Sequence, residues 1–159
     1  MPVGEGWEPP AAVRDAVEFH WFHVQPGRAV VLCVLSGQPL WYVGHFQNGR
    51  MGPCRPAGCE SCAKGIGRQL RYVVSCVELS SRQLGVLEVS SSVAELLKQW
   101  SLSAGGLRGL IVEIEKASRS KHSRMEASWV HETPPAWVMA MAPLDLKEVL
   151  ARTWERIEG

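Results

Sequence analysis

The chain has 159 residues with 17 basic and 16 acidic side chains, and this near balance excludes a protein that is basic along its whole length. Apolar residues make up 46% of the chain, enough for a packed core of its own. The N-terminus has no basic flank and no apolar run, and no stretch reaches the roughly 18 apolar residues of a membrane span, so we expect a cytoplasmic protein in reducing surroundings.

The first third of the chain is predicted to be mostly strand. Residues 1–16 hold Gly, Pro and acidic residues, which indicates a loose lead-in. The β-branched and aromatic run over 17–35 is interrupted by Pro26-Gly27 and predicts a strand, a turn and a second strand. Residues 40–46 continue as a strand, and the Gly- and Pro-rich segment 45–67 is predicted to be a large loop.

The middle of the chain predicts a hairpin followed by a helix. Residues 68–79 and 84–90 are strand-like runs on either side of a Ser-rich turn. Ser92 and Glu95 have the spacing of a capping box, which predicts that the next helix begins with Ser92 as its N-cap. Gly105-Gly106 is expected to end that helix.

The last third predicts a second hairpin and a C-terminal helix. Strands are expected over 107–116 and 125–131, joined by the basic loop 116–124. A helix with one apolar face is expected over 144–158. This helix either caps its own barrel, which is the favoured interpretation, or docks on a protein partner or on a second copy of the chain.

This order of elements predicts an all-β protein with added helices, and specifically a five-stranded OB-fold barrel over 17–131. A helix would separate the third and fourth strands, and a zinc-binding loop would separate the first and second. Residues 132–159 would form a C-terminal extension with the amphipathic helix. In an OB-fold, strands 2–3 and the loops that follow strands 1 and 4 bind oligonucleotides.

Three cysteines lie within nine residues in the spacing C-x4-C-x2-C, and a histidine stands nine positions before the first of them. Three thiolates and one imidazole are a standard closed shell for structural zinc, Zn2+, with no coordination position left for chemistry. The predicted ligands are His45, Cys54, Cys59 and Cys62. Cys33 and Cys76 remain rivals for the fourth position, although both are expected to be small buried residues in strands.

Plant-type ferredoxins use the same C-x4-C-x2-C run, so a [2Fe-2S] redox protein is an alternative. The fourth thiolate of that family would be expected near position 92, which is Ser92 here. Zinc is therefore favoured.

The neutral total charge hides two basic segments, 45–75 and 116–124, which include the two loops that an OB-fold uses for binding. Cations that follow phosphates and rings on which bases stack are what a single strand needs. The predicted contacts are Arg50, Arg55, Lys64, Arg68, Arg71, Lys116, Arg119, Lys121 and Arg124, with Trp41 and Tyr72 as aromatic partners. Because side chains alternate along a strand, Arg71 and Tyr72 are expected on opposite faces, and only one of Trp41 and Tyr42 can face the cleft. Phe46 and Trp129 are further aromatic candidates.

Two segments, GHFQNGRMGPCRPAGCESCAKGIGR (44–68) and LRGLIVEIEKASRSKHSRMEASWV (107–130), carry a likeness to a known family and cover about a third of the chain. They resemble the single-stranded-DNA-binding proteins of T-even phages and related small phage and plasmid proteins. The resemblance implies a zinc-containing OB-fold that binds single-stranded DNA or RNA in a basic, aromatic-lined cleft and acts in replication or recombination. The zinc ligands are spaced more widely in the phage protein, and residues 132–159 do not read as its acidic tail.

No enzyme is expected from the sequence motifs. A Gly-rich phosphate loop and an H-E-x-x-H motif are both missing, and the H-x-E of zinc deaminases is absent because Phe46 and Gln47 follow His45. A protein-interaction adaptor on the same zinc module is the remaining alternative.

Overall fold

The computed structural model describes residues 20–47, 49–55, 57–116 and 124–158. The strands are β1 (His20–Trp21), β2 (Val30–Val34), β3 (Leu40–Gln47), β4 (Arg50–Pro53), β5 (Arg68–Glu78), β6 (Leu84–Ser90), β7 (Ile111–Lys116) and β8 (Met125–Val130). The helices of the described residues are α1 (Glu60–Ala63), α2 (Ser91–Ala104), α3 (Ala136–Met139) and α4 (Leu146–Glu158). Within these ranges no helix has both the length and the apolarity that a membrane span requires.

All eight strands belong to one sheet with the order β1-β6-β5-β2-β7-β8, and β3 pairs with both β4 and β5. Every pair is antiparallel except β1 with β6. The prediction of an all-β protein with added helices is therefore confirmed. The sheet is open: across the described ranges no pairing joins its two end strands, β1 and β8.

β2 and β3 are separate strands, as predicted from the runs that end at residue 35 and begin at residue 40. β2 ends at Val34 and β3 begins at Leu40, with a turn that contains Gly37 and Pro39 between them. Proline has no N–H to give to a ladder, so the strand pairing is interrupted at this point. β2 pairs with β7 and with residues 76–78 of β5, whereas β3 pairs with residues 68–73 of β5.

The main core lies between one face of the sheet and α2. Alternating strand residues point into it, which explains why the period-2 pattern of the sequence located the strands. They are Leu32, Val34, Val74, Cys76, Leu87, Val89, Val112 and Ile114, all at most 1% exposed. Helix α2 adds Val93 and Leu97 from its apolar face.

The C-terminal helix covers part of the opposite face of the sheet. Val149 and Leu150 of α4 are buried against Tyr42, Val73 and Val86. The ring of Trp154 meets the ring of Tyr42 edge-on, with 5.3 Å between the centroids. The helix therefore packs on its own sheet, as the favoured interpretation predicted.

Helix α2 begins earlier than the capping box predicted. Its N-cap is Ser90, whose hydroxyl oxygen accepts a hydrogen bond from the backbone N–H of Val93, and Ser92 lies inside the first turn. The run of three serines offers three caps, and Ser90, the last residue of β6, is the one used. The predicted end is correct, since Gly105 takes the left-handed conformation at φ 83°.

Candidate metal centre and adjoining cleft

The segment expected to be a loop begins as a β-hairpin. β3 and β4 pair from Gly44–Pro53 to Gln47–Arg50, and Gly49 makes the return possible with φ +75°. Gly44 allows the two strands to lie close together, because a Cβ at this position would come within 2.6 Å of the carbonyl oxygen of Gly52. The hairpin thus brings Cys54, which follows β4, back beside His45 of β3.

The short helix α1 supplies the other two thiols. Cys59 precedes the helix and Cys62 lies within it, and the backbone N–H of Ala63 donates to the carbonyl oxygen of Cys59 at 3.1 Å. The hydroxyl of Ser61 donates to Gln47 at 2.9 Å, which ties α1 to the end of β3. The sequence prediction missed both β4 and α1.

His45, Cys54, Cys59 and Cys62 form one cluster in which all the donor atoms lie within 4.8 Å of one another. The Nε2 atom of His45 is 3.5 Å from the sulfurs of both Cys59 and Cys62, and the sulfurs of Cys54 and Cys62 are 3.6 Å apart. All four predicted ligands therefore converge. The donor set and its convergence suit a single metal ion.

The imidazole ring of His45 is oriented by backbone carbonyls. The histidine is 2% exposed, and its Nδ1 lies 3.0 Å from the carbonyl oxygen of Ile66 and 3.1 Å from that of Gly67. Carbonyls only accept, so Nδ1 carries the proton and Nε2 presents its lone pair to the thiols. This is the outer-shell arrangement that metal-ligating histidines use.

The thiols of the cluster differ in acidity. Backbone N–H groups of Cys62 and Arg55 stabilise the thiolate of Cys59 and lower its pKa from 9.0 to about 6. Burial and the neighbouring thiols raise the pKa of Cys54 above its ordinary value. Arg68 donates from its guanidinium group to the sulfur of Cys62 at 3.5 Å.

The two remaining cysteines lie outside the cluster. Cys33 and Cys76 are both 0% exposed and belong to strands β2 and β5 in two different core clusters. Burial raises the pKa of the Cys33 thiol to about 11 and raises that of Cys76 as well. Neither rival takes the fourth position, which His45 fills.

A cleft of about 1180 Å³ adjoins the metal cluster. Its lining includes Phe46 and Met51, which are paired in the β3–β4 hairpin, and Lys116 and Arg124, at the end of β7 and just before β8. Gln69, Arg71 and Glu88 also line the cleft. They lie on the same face of the sheet as Val73 and Val86, which α4 covers. The lining also includes Val93 of α2 and Met125 and Ala127 of β8, which belong to the core on the α2 side, so the cleft extends beyond the face that α4 covers.

The charges of Arg71 and Glu88 in the cleft lining are largely paired. Glu88 accepts hydrogen bonds from the hydroxyl of Tyr42 and from Arg71, the latter at 3.3 Å. Burial, followed by the contact with Glu88, raises the pKa of Tyr42. Because Glu88 is compensated in this way, its carboxylate opposes an approaching phosphate less than an isolated one would.

Only part of the predicted nucleic-acid set meets at the cleft. Arg71, Lys116 and Arg124 line it. Trp41 is 63% exposed but lies on the other face of the sheet with its strand neighbour Tyr72, which lines a separate groove beside α2. Of the remaining predicted contacts, Arg55, Lys64 and Arg68 lie in the segment that carries the three cysteines. The side chain of Arg50 and the whole of Arg119 and Lys121 lie outside the described part of the chain.

Sequence reasoning did not place Trp21, Phe22 and His23 among the nucleic-acid contacts, although they also line the cleft. The available signal is the aromatic density of residues 20–24, HWFHV. Short β1 brings this segment to the open edge of the sheet by pairing with β6.

No protein-family model, no curated protein and no solved structure matches this chain.

Proposed function

We propose that this protein binds single-stranded nucleic acid, with DNA as the first candidate, and holds a structural zinc ion. The observation that carries the proposal is the cleft lined by two hairpins. One is the β3–β4 hairpin, which carries His45 and is called the metal hairpin below, and the other is the β7–β8 hairpin. The cleft brings aromatic rings and cationic groups of distant segments together. Rings that stack on bases and cations that neutralise phosphates are the two requirements of single-strand binding.

The strand pairing supports an open variant of the OB-fold. β2 and β3 together act as the long first strand, because they pair with both β5 and β7. β5–β6 and β7–β8 are the two hairpins, and α2 lies between them. On this assignment the segment that carries the three cysteines is the loop after the first strand, and the cleft lies where OB-folds bind oligonucleotides.

The donor distances favour zinc over a two-iron cluster. Tetrahedral zinc, with bonds of about 2.3 Å to sulfur and about 2.0 Å to nitrogen, holds its donors roughly 3.5–3.8 Å apart. Three donor separations in the cluster are 3.5–3.6 Å, which agrees with this spacing, and all the donor atoms lie within 4.8 Å of one another. A [2Fe-2S] cluster divides its four ligands between two iron atoms and needs a wider cage.

The metal is tested on purified protein. We expect colourless protein with one equivalent of zinc, and we expect His45→Ala to lose it while His131→Ala, which changes an exposed histidine outside the cluster, retains it. Brown protein with visible absorbance would contradict the zinc assignment.

Binding is tested by titration of fluorescent oligo-dT at two salt concentrations. We expect affinity to fall steeply with salt, because phosphate contacts release counterions. Arg124→Glu, in the lining of the cleft, should weaken binding, whereas Lys98→Glu on α2, which lines the separate groove, is the control charge reversal. Weak binding at low salt, or equal effects of the two variants, would contradict the proposal.

A further inference from the structure

Phe46 presents an aromatic ring at the point where the metal hairpin meets the cleft. The side chain is 56% exposed although it is large and apolar, and it lines the cleft beside Met51. A single exposed ring needs no explanation by itself. Two features of its surroundings distinguish this one.

The first feature is that Phe46 is fixed by its neighbours. His45, immediately before it, is a cluster member that is 2% exposed, and Gln47, immediately after it, accepts the hydroxyl of Ser61 from α1. Phe46 itself is paired with Met51 in the hairpin register. The backbone is therefore held on both sides. A ligand that stacks on the ring then costs little further conformational freedom of the protein.

The second feature is the composition of the cleft around the ring. Trp21 of β1 and Phe22 just after it line the cleft, and Lys116 and Arg124 line it from the β7–β8 hairpin. A cleft whose lining combines an exposed ring with cations suits a flat apolar group attached to an anionic chain. A nucleotide has this combination of parts.

We propose that Phe46 is the base-stacking residue of the cleft, and that a base lies on its ring while the strand phosphates approach Lys116 and Arg124. This inference rests on the proposed function and specifies the binding residue. It replaces Trp41 and Tyr72, the two aromatic partners that the sequence predicted. Trp41 is five positions away on the same strand and so faces the other side of the sheet.

The experiment compares Phe46→Ala, Phe46→Trp and Trp41→Ala as full-length, zinc-loaded proteins, each titrated with oligo-dT and with an abasic oligonucleotide of equal length and charge. Metal content and circular dichroism are measured on every variant. We expect Phe46→Ala to bind oligo-dT roughly 5- to 150-fold more weakly, the range for loss of one stacked base. Phe46→Trp should restore affinity, and Trp41→Ala should stay within about twofold of the unaltered protein, because its ring is outside the cleft.

The abasic oligonucleotide separates stacking from a structural effect. The preference for oligo-dT over the abasic chain should shrink in Phe46→Ala, whereas affinity for the abasic chain should change little. Equal preference in the unaltered protein and in Phe46→Ala, or a larger loss in Trp41→Ala, would overturn the stacking role and leave the proposed function standing. No binding of either oligonucleotide by the unaltered protein would overturn both.

Discussion

The guanidinium group of Arg68 lies 3.5 Å from the sulfur of Cys62, so that a positive charge rests against the cluster of thiols. A zinc ion with three thiolates carries a net charge of −1, and one guanidinium offsets it. The sequence suggested Arg68 as a phosphate contact. In the structure its partner is the thiol of Cys62.

Arg68→Met should weaken zinc affinity by about 10- to 100-fold, the usual effect of losing an outer-shell partner. The measurement is competition with a chromogenic chelator. Lys64→Met removes the same charge from the exposed end of α1 and is the matched control. Equal zinc affinity of the two variants would show that Arg68 does not support the metal.

Cys59 should be the most readily alkylated thiol of the metal-free protein at pH 7. Its folded-state pKa of about 6 lies below the ordinary value of 9.0. The stability that the thiolate adds to the fold is therefore fully present above the ordinary pKa and is lost as the pH falls through about 6. Pulse labelling with iodoacetamide after chelation, read by peptide mass spectrometry, measures this. Faster labelling of Cys54, whose pKa is raised, would contradict the assignment.

Leu150→Ala should destabilise the protein by about 2–5 kcal/mol, because Leu150 is 3% exposed against the sheet and its loss leaves a cavity. Urea denaturation measures the change in the free energy of unfolding. Leu102→Ala on α2, where the side chain is 77% exposed, should change it by less than about 0.5 kcal/mol. Unchanged stability together with an altered oligomeric state would instead favour docking of α4 on a partner.

Glu126→Gln should tighten binding of oligo-dT about two- to fivefold at low salt, because it removes an exposed carboxylate from the cleft lining. The gain should fade at high salt as the charges are screened. Fluorescence anisotropy at two salt concentrations measures both effects. Glu95→Gln on α2 is the control outside the cleft, and an equal gain there would show only a general effect of net charge.

Strand positions were predictable because burial leaves a period-2 record in the sequence. β6 was predicted at its observed bounds, and β3 and β5 were each predicted to within a residue of theirs. The cysteine segment was harder, since β4 and α1 are four residues each and their form depends on convergence of the donors rather than on propensity. Closure of a barrel also could not be read from the strand order, because the long-range pairing of end strands leaves no local pattern.

The sequence by itself predicted the cluster of His45, Cys54, Cys59 and Cys62, since close spacing of three cysteines after a histidine restricts them to one neighbourhood whatever surrounds it. Only the tertiary structure decided what lies beside that cluster. Side-chain alternation placed Phe46 in the lining of the cleft and Trp41 on the other side of their strand. Such choices depend on strand register and helix docking, which join residues far apart in the chain and are therefore not written in any short stretch of it.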